Sequence, residues 1–153
     1  MVEFNDSCKI KGTCHVMLFG PDGRLKDERI VENLVVDAGK SHIADQMAST
    51  HDEAEMGYMA IGTGTTSPTS SDTTLESELD RNALTSRTQL TGSDANKVKY
   101  VAEWGAGDGT GAITEAGIFN ASSGGTMLCR ATFSTINKGS NDTLTINWTV
   151  TYG

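Results

Sequence analysis

No apolar stretch of this sequence approaches the roughly 18 residues that a helix needs to cross a bilayer, which excludes a helical span within these 153 residues. Basic residues are scarce. Lys and Arg number 12 against 20 Asp and Glu, a formal charge of −8. Nucleic-acid binding needs clustered Lys and Arg that displace counterions from phosphate. Without a basic stripe, neither nucleic acid nor an anionic membrane is expected as a partner, and the acidity reads as a solubilising surface. Met1 to Asp6 offer neither a basic n-region nor an apolar h-region, so no signal peptide is expected. Cysteine is limited to Cys8, Cys14 and Cys129. An odd count without a secretory signal implies reduced thiols, with Cys14 and Cys129 acting as small core hydrophobes. Aromatics make up 6% and proline occurs twice, against 17 glycines. That balance suits short strands joined by turns.

Catalytic signatures are missing too. There is no Gly-x-Ser-x-Gly elbow. Gly39-Lys40-Ser41 follows a strand and opens a helix, but the Gly that a phosphate-binding loop needs five residues earlier is Leu34. Gly62-Thr63-Gly64 and the Gly105–Gly111 loop lack the βαβ setting of a dinucleotide site. Cys14 and His15 are adjacent and point to opposite faces of a strand. His42 and Asp45 share a helix face, yet two ligands do not make a metal site. His51-Asp52-Glu53 reads as solvated loop, and Asp108 lacks calcium-ligand spacing. Glu76, Glu78, Asp80, Glu103 and Glu115 form no acid/base pair and read as surface groups or partners of Arg81 and Arg87. No catalytic residue, cofactor or metal is expected.

What is present is period-two alternation. Residues 1–7 read as an N-terminal arm with Phe4 as its large apolar group, and 8–153 as one domain. Cys8 to Phe19 and Leu25 to Val36 form a hairpin about the turn Gly20-Pro21-Asp22-Gly23. Asp37 is placed as the N-cap of a helix over about 38–48, with Ile43, Ala44 and Met47 at helical spacing. Tyr58 to Ile61 is a buried strand. Gly62 and Gly64 are read as positive-φ residues at its exit, leading into a Ser/Thr-rich loop that serves as a crossover between layers or as a partner-facing loop. Glu76 to Leu79 is read as a helical turn, followed by strands over 82–90, 97–104, 113–120, 126–136 and 143–152. Eight or so strands with regular turns predict a mainly β fold, an antiparallel β-sandwich (jelly-roll-like) with one short α-helix.

Charge thins out towards the C-terminus. Residues 105–153 carry only Asp108, Glu115, Arg130, Lys138 and Asp142, and residues 143–153 carry none. Exposed strand edges are normally protected by charge. The last strand, with Thr145, Asn147, Thr149 and Thr151 on its polar face, is therefore either internal to its sheet or covered by a second subunit. Those four residues and Phe4 are the candidate interface.

Several of these segments are familiar together. Asn33-Leu34-Val35-Val36-Asp37-Ala38-Gly39, then Tyr58 to Pro68, then Asp72 to Glu78 with Arg81, Glu115 to Asn120, and Gly124 to Arg130 with the final strand, resemble tailed-bacteriophage virion structural proteins over about residues 30–152. The resemblance implies a β-sandwich without enzymatic activity, often oligomeric. Within that group, which includes both capsid decoration proteins and tail or collar fibre modules, the chain's compactness and acidity favour a capsid decoration (cement) protein, expected to be made in the host cytoplasm and bound as a homotrimer to the major capsid protein on the outer head surface. The alternative the resemblance leaves is a tail or collar fibre or adaptor module contacting other tail proteins or a host receptor.

Overall fold

The computed structural model describes residues 7–153. The proposed arm, Phe4 included, lies outside the described residues apart from Ser7. The chain runs β1 (Ile10–Phe19), β2 (Leu25–Glu32), β3 (Leu34–Val35), α1 (Asp37–Met47), β4 (Tyr58–Gly62), β5 (Glu78–Ala83), β6 (Ser86–Gln89), a 3-10 turn (Gly92–Asp94), β7 (Lys97–Trp104), β8 (Gly111–Phe119), β9 (Met127–Lys138) and β10 (Thr143–Tyr152). Two five-stranded sheets result, ordered β2-β1-β10-β7-β6 (sheet A) and β3-β9-β8-β4-β5 (sheet B). Every strand pair is antiparallel. The expected β-sandwich with one short helix is what forms.

Alternation decides what enters the core. On β10, Leu144, Ile146, Trp148 and Val150 are fully buried while Thr145, Asn147, Thr149 and Thr151 are half-exposed. The inward residues meet Val16, Trp104, Met59, Ile61, Ile118 and Ile136 from both sheets in one core. Cys14 and Cys129 are buried there as free thiols, and burial pushes both well above the ordinary thiol pKa.

Three local expectations are corrected. The run 25–36 is not one strand: at Asn33 the chain leaves sheet A for sheet B. The Asn33 amide donates to Gly12 O at 3.0 Å, and its Oδ1 accepts from Trp148 Nε1 at 2.8 Å. Likewise, 82–90 is two strands in different sheets, with the switch at Leu84 and Thr85. Residues 76–79 are not a helical turn, because Glu78 opens β5 beside β4.

The helix also sits differently. Val36 is its N-cap residue, and Asp37 is the first helical residue, where its charge still suits the helix dipole. The buried residues are Gly39 and His42; Ala44 is exposed and Met47 is 82% exposed. A Cβ on Gly39 would stand 2.1 Å from the Leu128 carbonyl oxygen. Glycine there is a contact requirement between helix and β9, which accounts for Gly39 without a phosphate.

Candidate functional site

Three surfaces carry the polar and apolar groups that the core does not use. The first is the outer face of sheet B. β4 and β5 are adjacent strands of one sheet, so the segment 63–77 is not a crossover between layers. It folds back over its own sheet. Leu75 is buried against Val36, Ala60, Phe119 and Met127, a second small apolar cluster outside the main core. Arg81 lies with its guanidinium carbon 3.8 Å from the centroid of the Phe119 ring and donates to the Ala121 and Gly124 carbonyls.

Two buried charges hold the segment down. Glu115, on β8, is completely buried, and Arg130, on β9, is 2% exposed. Glu115 Oε1 accepts from the backbone N–H of Gly64 at 3.0 Å and of Ser77 at 2.8 Å. Its Oε2 accepts from the Glu76 N–H and from Arg130 Nε, both at 3.0 Å, with Arg130 Nη2 in ion-pair contact at 2.9 Å. Arg130 uses the rest of its fork on Asp72 Oδ2 and the Thr66 carbonyl, both at 3.0 Å. Glu76 turns back to accept from Thr65 N–H, Thr66 N–H and the Thr66 hydroxyl. The Thr66 hydrogen bonds hold the Glu76 carboxyl below its ordinary pKa. For Asp72, partial burial acts upward, but Thr69 and Arg130 outweigh it and the net shift is downward.

This network explains the glycines in a way the sequence reading did not. Neither Gly62 nor Gly64 has a positive φ. A Cβ on Gly64 would lie 2.5 Å from Glu115 Oε1, and one on Gly62 would lie 2.4 Å from the Ser77 carbonyl oxygen. Space for the carboxylate sets these positions. Glu115 is thus corrected from a surface group to the centre of a buried clamp. Glu78 does pair with Arg81, at 2.5 Å. Because the Glu115 oxygens are committed to backbone donors and Arg130, the clamp is built to hold a loop, not to move protons.

The second surface is the outer face of sheet A, which carries the four sequence-predicted residues. β10 is internal, between β1 and β7, so the internal reading of that strand holds. The register sets Thr149 between Thr13 and Lys99, and Asn147 between His15 and Val101. Thr145 lies between Met17 and Glu103, and Thr151 between Lys11 and Lys97. All four share one face. Ile30 extends the Asn147 row to the β2 edge, where it is 65% exposed. The flanking strand β2 supplies the charge that protects the edge, including Glu28, which meets His15 Nε2 at 2.8 Å.

The third is an apolar groove of about 630 Å³ between α1 and one end of the sandwich. Met47, Met56, Leu128 and Tyr152 line it, and Cys8 stands in its wall. His42 Nδ1 is engaged with Glu53 at 2.6 Å, and Asp45 caps the Asp52 and Glu53 amides. The His42–Asp45 pair therefore braces the loop after the helix. Among the described residues, no group of three or more His, Cys, Asp or Glu is placed to hold a metal ion.

One signal for the clamp was in the sequence. Of the five charged residues in 105–153, Glu115, Arg130, Lys138 and Asp142 are all buried. A lone charge in the middle of a neutral, apolar strand stays inside only with a partner. Lys138 spends its ammonium on the Gly105 carbonyl, and Asp142 accepts from Lys26. Comparison with family models, with curated proteins and with solved structures finds no match to this chain.

Proposed function

We propose that this chain is a non-enzymatic structural protein of a tailed-phage virion, a capsid decoration protein that binds the major capsid protein on the outer head surface and self-associates as a homotrimer. The observation that carries the reading is the outer face of sheet A. Thr145, Asn147, Thr149 and Thr151 stand there on a strand hydrogen-bonded along both sides, with Thr13 beside Thr149 on β1, Lys99 beside it on β7, and exposed Ile30 at the border. β-branched residues on a doubly paired strand have little freedom left to lose on docking. Repeated weak contacts from a trimer would act at high effective concentration and cross-link neighbouring shell subunits.

The test is co-sedimentation with heads that lack this protein. Wild type is expected to pellet with the heads and raise the temperature at which they release DNA. The pair Asn147→Glu and Thr149→Glu is expected to do neither while remaining folded. Wild type that stays in the supernatant overturns the reading.

A tail or collar module is the second reading. It is favoured by the clamped segment, which keeps Thr65, Ser67, Ser70 and Ser71 exposed while the Thr66 and Thr69 hydroxyls are bonded to Glu76 and Asp72, a polar surface suited to a receptor or glycan. Immunogold labelling of particles separates head from tail directly.

A further inference from the structure

The edge strands of a sheet carry unpaired backbone N–H and C=O groups, and proteins guard them with charge, bulges, brevity or a cover. Of the four edge strands here, β2, β6, β3 and β5, three are guarded. β2 carries Lys26, Asp27, Glu28, Arg29 and Glu32. β5 carries Glu78, Asp80 and Arg81, and its register with β4 shifts between Ile61 and Gly62. β3 is two residues long and is followed at Asp37 by α1. The fourth, β6, reads Ser86-Arg87-Thr88-Gln89, and every residue of it is exposed. Its one charge is engaged, because Arg87 donates to the Met56 carbonyl and pairs with Glu55. Apart from its short length nothing guards this edge, and among the described residues its one strand neighbour is β7.

The register says which groups are free. The Leu90 N–H donates to the Lys97 carbonyl at 2.9 Å, one step beyond the pair Gln89 and Val98. Bonded and non-bonded pairs alternate along an antiparallel ladder. Ser86 and Thr88 therefore give their backbone groups to β7, while Arg87 and Gln89 point theirs outward. A second β6, run antiparallel about a two-fold axis at Thr88, sets Arg87 opposite Gln89 of the other copy, so each outward group meets a partner. Thr88 faces Thr88 across the axis as a closely spaced non-bonded pair, a favourable cross-strand match. Ser86 faces Leu90, and no like charges meet. On β2 the same alternation frees Glu28, Ile30 and Glu32, and a two-fold axis at Ile30 would set Glu28 against Glu32.

We propose that β6 pairs with β6 of a second copy of this chain, antiparallel about a two-fold axis at Thr88, and joins the two A sheets into one continuous sheet. The contact is small, so it is weak and depends on concentration. Being isologous, it is separate from the three-fold association proposed above and holds with or without it. The pairing sets the open faces of two A sheets side by side.

Disulfide trapping on the full chain tests this, in a Cys8→Ser background that removes the exposed native thiol. Under oxidised glutathione, Thr88→Cys is expected to form a covalent dimer about ten-fold faster than Ser86→Cys, because only position 88 meets itself within disulfide reach. Equal rates, or no dimer from Thr88→Cys, overturn the proposal. Amide exchange of the wild type reads the contact without a new thiol. The Arg87 and Gln89 amides are expected to exchange more slowly as protein concentration rises. Thr88→Lys, which sets two ammonium groups against each other, is expected to abolish that slowing while the β7 amides keep their protection. Exchange that is fast at every concentration overturns the proposal. So does protection that is the same at every concentration and survives Thr88→Lys, because the chain's own residues then cover the edge.

Discussion

The two outer faces of this sandwich solve the same problem in opposite ways. Sheet B exposes Ala60, Phe119 and Met127 on its outside and hides them under its own loop, using a buried carboxylate–guanidinium pair to hold the cover. Sheet A carries Thr and Asn on the same type of face and leaves it open. A cover needs charge in the interior, and that charge is stable only when fully bonded. The open face needs no cover, because Thr and Asn on its central strand stand among Lys11, Lys97, Lys99 and Glu103 of the neighbouring strands, and Thr adds strong strand preference. The face that is finished internally is therefore the strong but brittle one, and the open face is the one with no cover from its own chain among the described residues.

The largest expected effect comes from breaking the cover. Arg130→Met leaves Glu115 buried without its cation and is expected to cost about 3–5 kcal/mol by urea denaturation, a large share of the roughly 5–15 kcal/mol typical of a domain. Adding Glu115→Gln is expected to recover part of the loss, since the stranded charge is gone. If Arg130→Met unfolds at the wild-type midpoint, the clamp has no energetic role.

Next is Gly64→Ala, which pushes a methyl into Glu115 Oε1 and Glu76 Cβ, each 2.5 Å away. A loss of about 1–3 kcal/mol is expected, with faster hydrogen exchange confined to 63–77. Uniform exchange changes across both sheets would contradict the assignment of that glycine to the loop.

Acid should loosen the same cover. Asp72 and Glu76 have folded-state pKa values below the ordinary 3.8 and 4.5, so the folded form binds fewer protons than the unfolded one. Their contribution is whole at neutral pH, begins to fall as the pH drops past the ordinary values, and is lost through the depressed ones. The Thr65 and Thr66 amides are expected to shift in that range, ahead of the Thr149 and Val150 amides on sheet A. Simultaneous titration of both sets would remove the contrast between the faces.

The smallest effect on stability should come from the open face. Asn147→Lys is expected to change unfolding free energy by no more than about 0.5 kcal/mol, because the side chain points away from the core. A loss of several kcal/mol would mean that this face, too, is structurally committed.

The contrast also explains which parts of the fold were legible. β7 and β10 appear in the sequence with their boundaries intact, because each is a continuous period-two run with one face buried. The break at Asn33 is invisible locally: a charged, alternating β2 runs on into the apolar Leu34-Val35-Val36 with no turn residues between them, and only Trp148 and Gly12, distant in the chain, mark the corner. β5 reads Glu-Leu-Asp-Arg-Asn-Ala, whose charges suit an exposed edge but mask a strand. At Gly62 and Gly64 the residue type was noticed and its reason missed, since the neighbour that requires it, Glu115, is on another strand. The polar face of β10 was legible as a set, because alternation alone groups Thr145, Asn147, Thr149 and Thr151.

One arrangement has a mechanical outcome. β1 and β10 are antiparallel neighbours over their full lengths, and Ile10 faces Tyr152 at one end of the ladder. Tension pulling Lys9 and Gly153 apart would peel that ladder open one pair at a time, with only a few hydrogen bonds resisting at any instant. Shear directed along the strands would instead strain many bonds together. The β1–β10 ladder is therefore weakest to force that parts Ile10 from Tyr152 and strongest to force along the two strands.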